Sequence, residues 1–295
     1  MRLKYIGLLG LLIAFKTLHA QLPTCAMYLL DIKNPLDSSW TITKITYLSG
    51  LNPNGYNNQP YFIDRNILLG SIKKTDQSNT EIYKFDLINK IATNITNSAS
   101  SEYSPRIYPE NHKEFSCVRV PENDTAIQDL ALISLDAGKL HKFIIKDHSK
   151  IGYYRYLKNK YWVCYLVQEP HVLSIYSEEL GSHKIFASSI GRCFEVVNSN
   201  EIYFVHKITD ANWVLKSYNV TTEKSKTIAT MPTGIEDFVL NSNQQVLCAN
   251  GSNLLRLSES GSWNVLADLK KFNIKNIGRL ALFENRLVLV NMTSS

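Results

Sequence analysis

The runs IYKFDL (82–87), LALISLD (130–136), LSIYSEEL (173–180) and LKSYNV (215–220) decide the fold. Each is a short strand rich in β-branched, aromatic and aliphatic residues. Each stands at the same place in a longer unit that restarts five times between Tyr56 and Phe283, giving six copies. Just upstream of each tag lies a second apolar run. These runs are NILLGSI, EFSCVRV, YWVCYLV, EIYFVHK, QVLCANG and RLVLVN, anchored at Ile67, Phe115, Trp162, Ile202, Val246 and Leu287, with spacings of 48, 47, 40, 44 and 41 residues. A strand-built period of roughly 40–50 residues marks a β-propeller.

Working outward from the anchors, each is preceded by a turn: 64–66, 109–113, 158–160, 198–200, 241–243 and 284–285. These turns are rich in Asn, Asp, Ser and Lys, and Asn, Asp and Ser in particular tolerate the locally hydrogen-bonded or left-handed backbone of a tight hairpin. Before each turn an innermost strand is predicted, at 60–63, 105–108, 153–157, 194–197, 237–240 and 280–283. Fourth strands follow turns such as 136–139, 179–182 and 258–261. No amphipathic helical stretch of useful length occurs.

The sixth copy holds only two strands, 280–283 and 286–291, and stops at Ser295. Two strands would leave an exposed edge. The N-terminal region holds the missing pieces: MYLLDI (27–32) matches the third-strand tag, and 41–48 can serve as the fourth strand. The fold class is therefore an all-β, six-bladed propeller with four-stranded antiparallel blades. Residues 26–48 and 280–291 together close the last blade, which hides the edges. Residues 21–295 form one domain of about 46 residues per blade.

Residues 1–20 read as a secretory signal peptide. Arg2 and Lys4 form a basic start, residues 6–15 an apolar run, and Leu18, His19 and Ala20 precede the cleavage point. An N-terminal membrane anchor is the alternative; lipidation at Cys25 lacks the small residue needed before the Cys. No later stretch is long enough to be a transmembrane helix. The expected location is periplasmic or secreted. Without residues 1–20 the chain keeps 29 basic against 26 acidic residues, a net of +3. No Lys/Arg run of the nucleic-acid-binding kind occurs.

Five Cys remain: Cys25, Cys117, Cys164, Cys193 and Cys248. An odd number without close pairing argues against a disulfide framework. Cys117, Cys164 and Cys248 recur in second strands, as small buried core residues would. His112, His141, His148, His171, His183 and His206 show no metal-ligand spacing, and no metal or cofactor is expected. The sequons at Asn94, Asn123, Asn219, Asn250 and Asn291 carry little weight in a chain this rich in Asn.

The segments YNNQPYF (56–62) and SEYSPRI (101–107), with Tyr83, Phe85, Asp86 and Leu87 of the third strand, resemble the blades of TolB-like six-bladed propellers, also described as WD-like periplasmic repeats. The resemblance is close over 56–145 and looser over 26–291. The usual Ser-Pro-Asp-Gly turn is replaced by 63–66 in the first copy and 108–111 in the second, and later copies lack the Pro. The resemblance implies a scaffold or binding module, since its members are mainly of that kind, some joined to peptidase domains.

Candidate site residues lie where the innermost strands begin, at one mouth of the channel. They are Asn57 and Asn58, Tyr103 and Arg106, Tyr154 and Arg155, Arg192 and Glu195, Glu236 and Asp237, and Arg279. Convergent polar groups in a funnel are the default binding site, and Arg suits a carboxylate held by two parallel hydrogen bonds. The bland alternative is that these charges only hydrate and pair across the channel. The expected function is a monomeric scaffold for a protein or peptide partner, bound at the channel mouth or a blade face. The alternatives are a glycan-active enzyme, using Glu195 with Glu236 or Asp237, and a sugar binder.

Overall fold

The computed structural model describes residues 22–146 and 150–293. The expected signal segment and His148 lie outside the described residues.

Among the described residues twenty-four strands form six four-stranded antiparallel sheets. β1 (Cys25–Lys33) and β2 (Thr41–Tyr47) come first. Blade 1 is β3 (Tyr56–Phe62), β4 (Ile67–Lys73), β5 (Glu81–Asp86) and β6 (Ile91–Asn94). Blade 2 is β7 (Ser101–Ile107), β8 (Glu114–Val120), β9 (Asp129–Ser134) and β10 (Leu140–Ile145). Blade 3 is β11 (Ile151–Lys158), β12 (Tyr161–Leu166), β13 (Val172–Ser177) and β14 (Ser182–Ser188). Blade 4 is β15 (Ile190–Asn198), β16 (Glu201–Lys207), β17 (Trp213–Asn219) and β18 (Lys224–Thr230). Blade 5 is β19 (Phe238–Leu240), β20 (Val246–Asn250), β21 (Asn253–Leu257) and β22 (Trp263–Asp268). β23 (Ile277–Phe283) and β24 (Arg286–Met292) follow, and the sixth sheet runs β2-β1-β24-β23.

The closure predicted from the two ends is therefore present. β1 pairs antiparallel with β24 from Cys25 opposite Met292 to Asp31 opposite Arg286. At one end of this ladder Arg286 Nε lies 3.1 Å from Asp31 Oδ1, and at the other Thr293 Oγ1 donates to the Thr24 carbonyl at 2.7 Å. The period of two along a strand sends successive side chains to opposite faces. In β1 this puts Leu30 and Ile32 into the core shared with blade 5, beside Leu247 and Leu254. Met27 and Leu29 enter the core shared with blade 1, beside Leu68 and Phe85. One N-terminal strand thus seals two blade interfaces.

The second strands are buried along most of their length, as in β12 and β20, whereas the fourth strands β2, β14 and β18 are largely exposed. All five described cysteines are buried and unlinked, with Cys117, Cys164 and Cys248 in second strands as the repeat predicts. The turn before β10 carries Gly138 at φ +62°, where an added Cβ would sit 1.6 Å from the Ile95 carbonyl oxygen. Only glycine fits there.

The innermost strands differ from the sequence expectation. β3 and β7 begin at Tyr56 and Ser101, ahead of Pro60 and Pro105, and each contains a bulge. Gln59 and Ser104, the residues before those prolines, have φ of 53° and 55°. Proline has no N–H for the ladder, so the pairing skips from Asn58 to Tyr61 and from Tyr103 to Arg106. In blade 5 the strand is shorter than expected: it starts at Phe238, which leaves Glu236 and Asp237 in the loop before it.

Candidate functional site

All six innermost strands contribute to one central throat, through Gln59 and Tyr61, Ser104 and Arg106, Tyr153 and Arg155, Arg192 and Glu195, Asp237 and Phe238, and Arg279 and Leu280. Register shifts in β3, β7, β11, β15 and β23 fall along this stretch. Bulges re-aim side chains, and here they turn long cationic chains toward the axis. The throat is narrow, with a cavity volume of about 40 Å³. It opens toward the starts of the strands into a recess of about 170 Å³ bounded by Ile235, Glu236, Asn276 and Gly278. At the other end a recess of about 230 Å³ is bounded by Ile107, Pro109, Tyr156 and Trp162.

The charges form two tiers. In the deeper tier Glu195 accepts two parallel hydrogen bonds from Arg155, from Nε at 2.9 Å and from Nη2 at 2.7 Å. Arg106 Nη2 lies 3.8 Å from the same carboxylate, and its guanidinium stacks over the Tyr61 ring at 5.2 Å. Burial disfavours the ionised carboxylate of Glu195, but Arg155 and then Arg106 more than offset it, so its pKa falls below the usual range. Burial likewise opposes the charge of Arg155 and Glu195 outweighs it, raising its pKa. Arg106 has the weaker share of Glu195; burial and the like charge of Arg155 lower its pKa.

The tier near the strand starts is built differently. Arg279 Nη1 and Arg192 Nε both lie 3.9 Å from Asp237 Oδ2, beyond hydrogen-bond distance. Arg279 Nη2 donates to the Tyr153 hydroxyl at 3.2 Å, and the guanidinium sits 5.2 Å from that ring's centre. Arg192 Nη2 donates to the Gly278 carbonyl at 3.2 Å. Arg192 Nε is also 3.3 Å from Glu236 Oε1, although misaligned for a hydrogen bond, and Lys207 Nζ is 2.8 Å from Glu236 Oε2. Burial raises the pKa of Asp237 despite Arg279 and Arg192. For Glu236, Lys207 and Arg192 overcome burial and lower it. Arg192 Nε, Arg279 Nε and Asp237 Oδ2 are buried atoms with no hydrogen-bond partner in the described chain.

Six of the sequence-predicted residues line the throat: Arg106, Arg155, Arg192, Glu195, Asp237 and Arg279. They occupy two levels rather than one mouth. Glu236 borders the adjoining recess, and both it and Asp237 approach Arg192 because they precede β19 and escape its strict alternation. Four candidates face away from the throat. Tyr154 is fully buried in the core between blades 2 and 3, and its hydroxyl donates to the Ser104 carbonyl at 2.9 Å. It neighbours Arg155, so on one strand the two must point oppositely. Tyr103 packs between blades 1 and 2, where Thr80 Oγ1 donates to its hydroxyl at 3.2 Å. Asn58 Oδ1 accepts the Gln59 N–H at 2.7 Å, inside the bulge. Asn57 is fully buried and donates to the carbonyls of Cys25, Asn52 and Gly55, tying β3 to the closing strand.

Sequence reasoning missed Tyr61, Tyr153 and Lys207. Tyr153 was within reach, because it alternates with Arg155 on one strand face. Among the described residues no group of His, Cys, Asp and Glu is arranged to hold a metal. The described histidines are spread apart: His141 meets Glu114, and His183 Nδ1 lies 2.9 Å from Ser174 Oγ, both on outer strands.

Solved structures share the fold. The putative TolB of Agrobacterium tumefaciens superposes with a TM-score of 0.61 at 11% identity, over 92% of this chain and 99% of that one. The fold is a TolB-like six-bladed propeller. TolB from Acinetobacter baumannii matches with a TM-score of 0.57 at 15% identity, over 90% of this chain. That match spans 63% of the Acinetobacter protein's own length. A chain of a nidogen/laminin complex gives 0.58 at 8% identity, with 91% of this chain and all of that one covered. An oligogalacturonate lyase from Vibrio parahaemolyticus gives 0.50 at 11% identity, covering 91% and 97%. No described sequence family and no curated protein matches the chain. The same fold thus occurs in proteins of different names, and the site must be argued from its own side chains.

Proposed function

We propose that the chain is an exported propeller scaffold that binds a protein or peptide partner at the channel mouth formed by the starts of the innermost strands. The observation that carries this reading is the size and lining of the throat. Small-molecule sites usually enclose roughly 300–1,000 Å³. The throat of about 40 Å³ is far smaller, and the recesses it separates, of about 170 and 230 Å³, each fall short of that range. Such a throat has room for a few waters, or for the tip of one inserted side chain, with the rest of the partner resting on the surrounding loops. Protein interfaces use this anchor-and-rim arrangement.

The catalytic reading has less support. A glycan-cleaving pair needs a proton donor whose pKa is raised toward neutrality. Glu195 and Glu236 are both held ionised by cations. Asp237 has the opposite tendency, but it is flanked by Arg192 and Arg279. Export, from residues 1–20, and a monomeric state belong to the same proposal. Among the described residues no helix is long and apolar enough to cross a membrane.

The test is affinity capture from the envelope fraction, with mass-spectrometric identification of the partner and measurement of its affinity for variants. Asn276→Trp places a bulky ring on the exposed mouth loop, and Val265→Asp changes the exposed face of β22. Loss of binding at least tenfold for Asn276→Trp, with Val265→Asp unchanged, supports the reading. The reverse pattern moves the interface to a blade face and overturns it.

A further inference from the structure

The throat has an imbalance of charge that the fold alone does not require. Its lining holds four arginines, Arg106, Arg155, Arg192 and Arg279, against two carboxylates, Glu195 and Asp237. Lys207 and Glu236 at the edge offset each other. The deeper tier satisfies its carboxylate with a two-pronged Arg155 contact, as a finished structural ion pair should be. The tier at the mouth does not. Its two arginines come to 3.9 Å from Asp237 without hydrogen-bonding to it, Asp237 Oδ1 accepts the Leu280 N–H at a long 3.4 Å, and one polar atom of each of the three groups is buried and unpartnered. Buried polar groups are nearly always paired, and those that are not call for an explanation. Two guanidinium edges converging on one poorly paired carboxylate supply the donors that an incoming anion needs, in a wall of low dielectric where each contact is strengthened.

We propose that the throat is a carboxylate site in which Arg192 and Arg279 clamp one anionic group, with Asp237 the resident carboxylate it competes against. This rests on the binding role proposed above and names the chemistry of the group inserted. Tyr153 holds Arg279 in place through its ring and hydroxyl, and the Gly278 carbonyl holds Arg192. The clamp is thereby oriented before the anion arrives, which lowers the ordering penalty of binding. The small volume selects a carboxylate-sized head. The group can come from an acidic side chain of the partner or from a free small carboxylate.

The experiment titrates the full chain with [1-13C]acetate at fixed ionic strength and reads line broadening, beside a blocked tetraglutamate peptide read by calorimetry. Arg279→Gln and Arg192→Gln should each weaken acetate about tenfold, the loss of one charge-assisted contact. Asp237→Asn should tighten it, because it removes the competing charge. Arg65→Gln, in the exposed turn before β4, should leave it unchanged. Tetraglutamate binding tighter than acetate assigns the group to a peptide partner, and acetate binding alone assigns it to a free carboxylate. Thermal unfolding confirms that each variant folds; should Arg279→Gln fail, Arg192→Gln and Asp237→Asn still carry the test. Absence of acetate binding by the wild-type chain overturns the site, as does equal binding by all variants. Weaker binding by Asp237→Asn also overturns it, since Asp237 would then support the anion rather than compete with it. Partner capture is measured separately, so loss of the mouth interface and loss of the carboxylate clamp are distinguishable.

Discussion

Replacing Glu102 by Gln should make the protein more stable at pH 8 and leave it nearly unchanged at pH 4. Glu102 is the second residue of the inner strand of blade 2 and has no exposed side-chain surface. It lies against Glu81 on β5 of blade 1, so two carboxyl groups share one buried seam. The donors are distributed unequally. Glu81 accepts from Thr96 Oγ1, from the Ser98 N–H at 3.0 Å and from Asn79 Nδ2 at 2.7 Å. Glu102 receives the Ser98 hydroxyl at 2.6 Å and a longer Arg119 contact at 3.5 Å, and its second oxygen has no partner. Glu102, with the fewer donors, is therefore the carboxyl that holds a proton. Burial, reinforced by Glu81, pushes the Glu102 pKa from 4.5 up to about 7, against the pull of Ser98 and Arg119. The folded state then holds more protons than the unfolded one between those values, so stability is full below pH 4.5 and falls as pH rises through 7. At ~1.4 kcal/mol per pH unit of displacement, ionising Glu102 removes roughly 3 kcal/mol by pH 8. Gln mimics the protonated acid and escapes that loss. Urea unfolding of both chains at pH 4, 6 and 8, followed by tryptophan fluorescence, measures it. A difference that does not change with pH, or a variant less stable than wild type at pH 8, would refute the shared-proton reading.

Two further outcomes follow from closure and burial. Deleting residues 26–48 strips Met27, Leu29, Leu30 and Ile32 from two blade interfaces. At roughly 1.5–3 kcal/mol each that loss of about 6–12 kcal/mol rivals the whole stability of a domain; circular dichroism should show an unfolded chain, and a folded, cooperative product would contradict closure by the N-terminal strands. All five cysteines outside the N-terminal segment are buried and unlinked, so a thiol reagent should label none in the native protein and five after denaturation.

The blades were legible because each restarts on residues with one strong local preference. Asp64 and Asn200 mark hairpins, Gly138 and Gly181 take a left-handed backbone, and second strands such as β12 are apolar on both faces. The closure was legible because MYLLDI carries the third-strand tag at the wrong end of the chain. The site was only half legible. Arg106, Arg155, Glu195 and Arg279 were found by their place in the copy. Their aim was set by register shifts, at Ser104 for Arg106 and within β11, β15 and β23 for the others, which depend on pairing with the neighbouring strand and leave little trace in sequence. The Arg155 contact to Glu195 joins the inner strands of neighbouring blades across 40 residues of sequence, a separation that only the packing of blade on blade brings within reach.

The most direct test of the account places a photo-crosslinking amino acid, one position at a time, at Thr233 and Asn276 on the mouth and at Ile185 and Val265 on the exposed outer strands. After irradiation in the envelope fraction, the mouth positions should capture one and the same partner, through a segment carrying an acidic residue, and the outer positions should not. Capture confined to Ile185 or Val265 would contradict the claim that the channel mouth is the binding face.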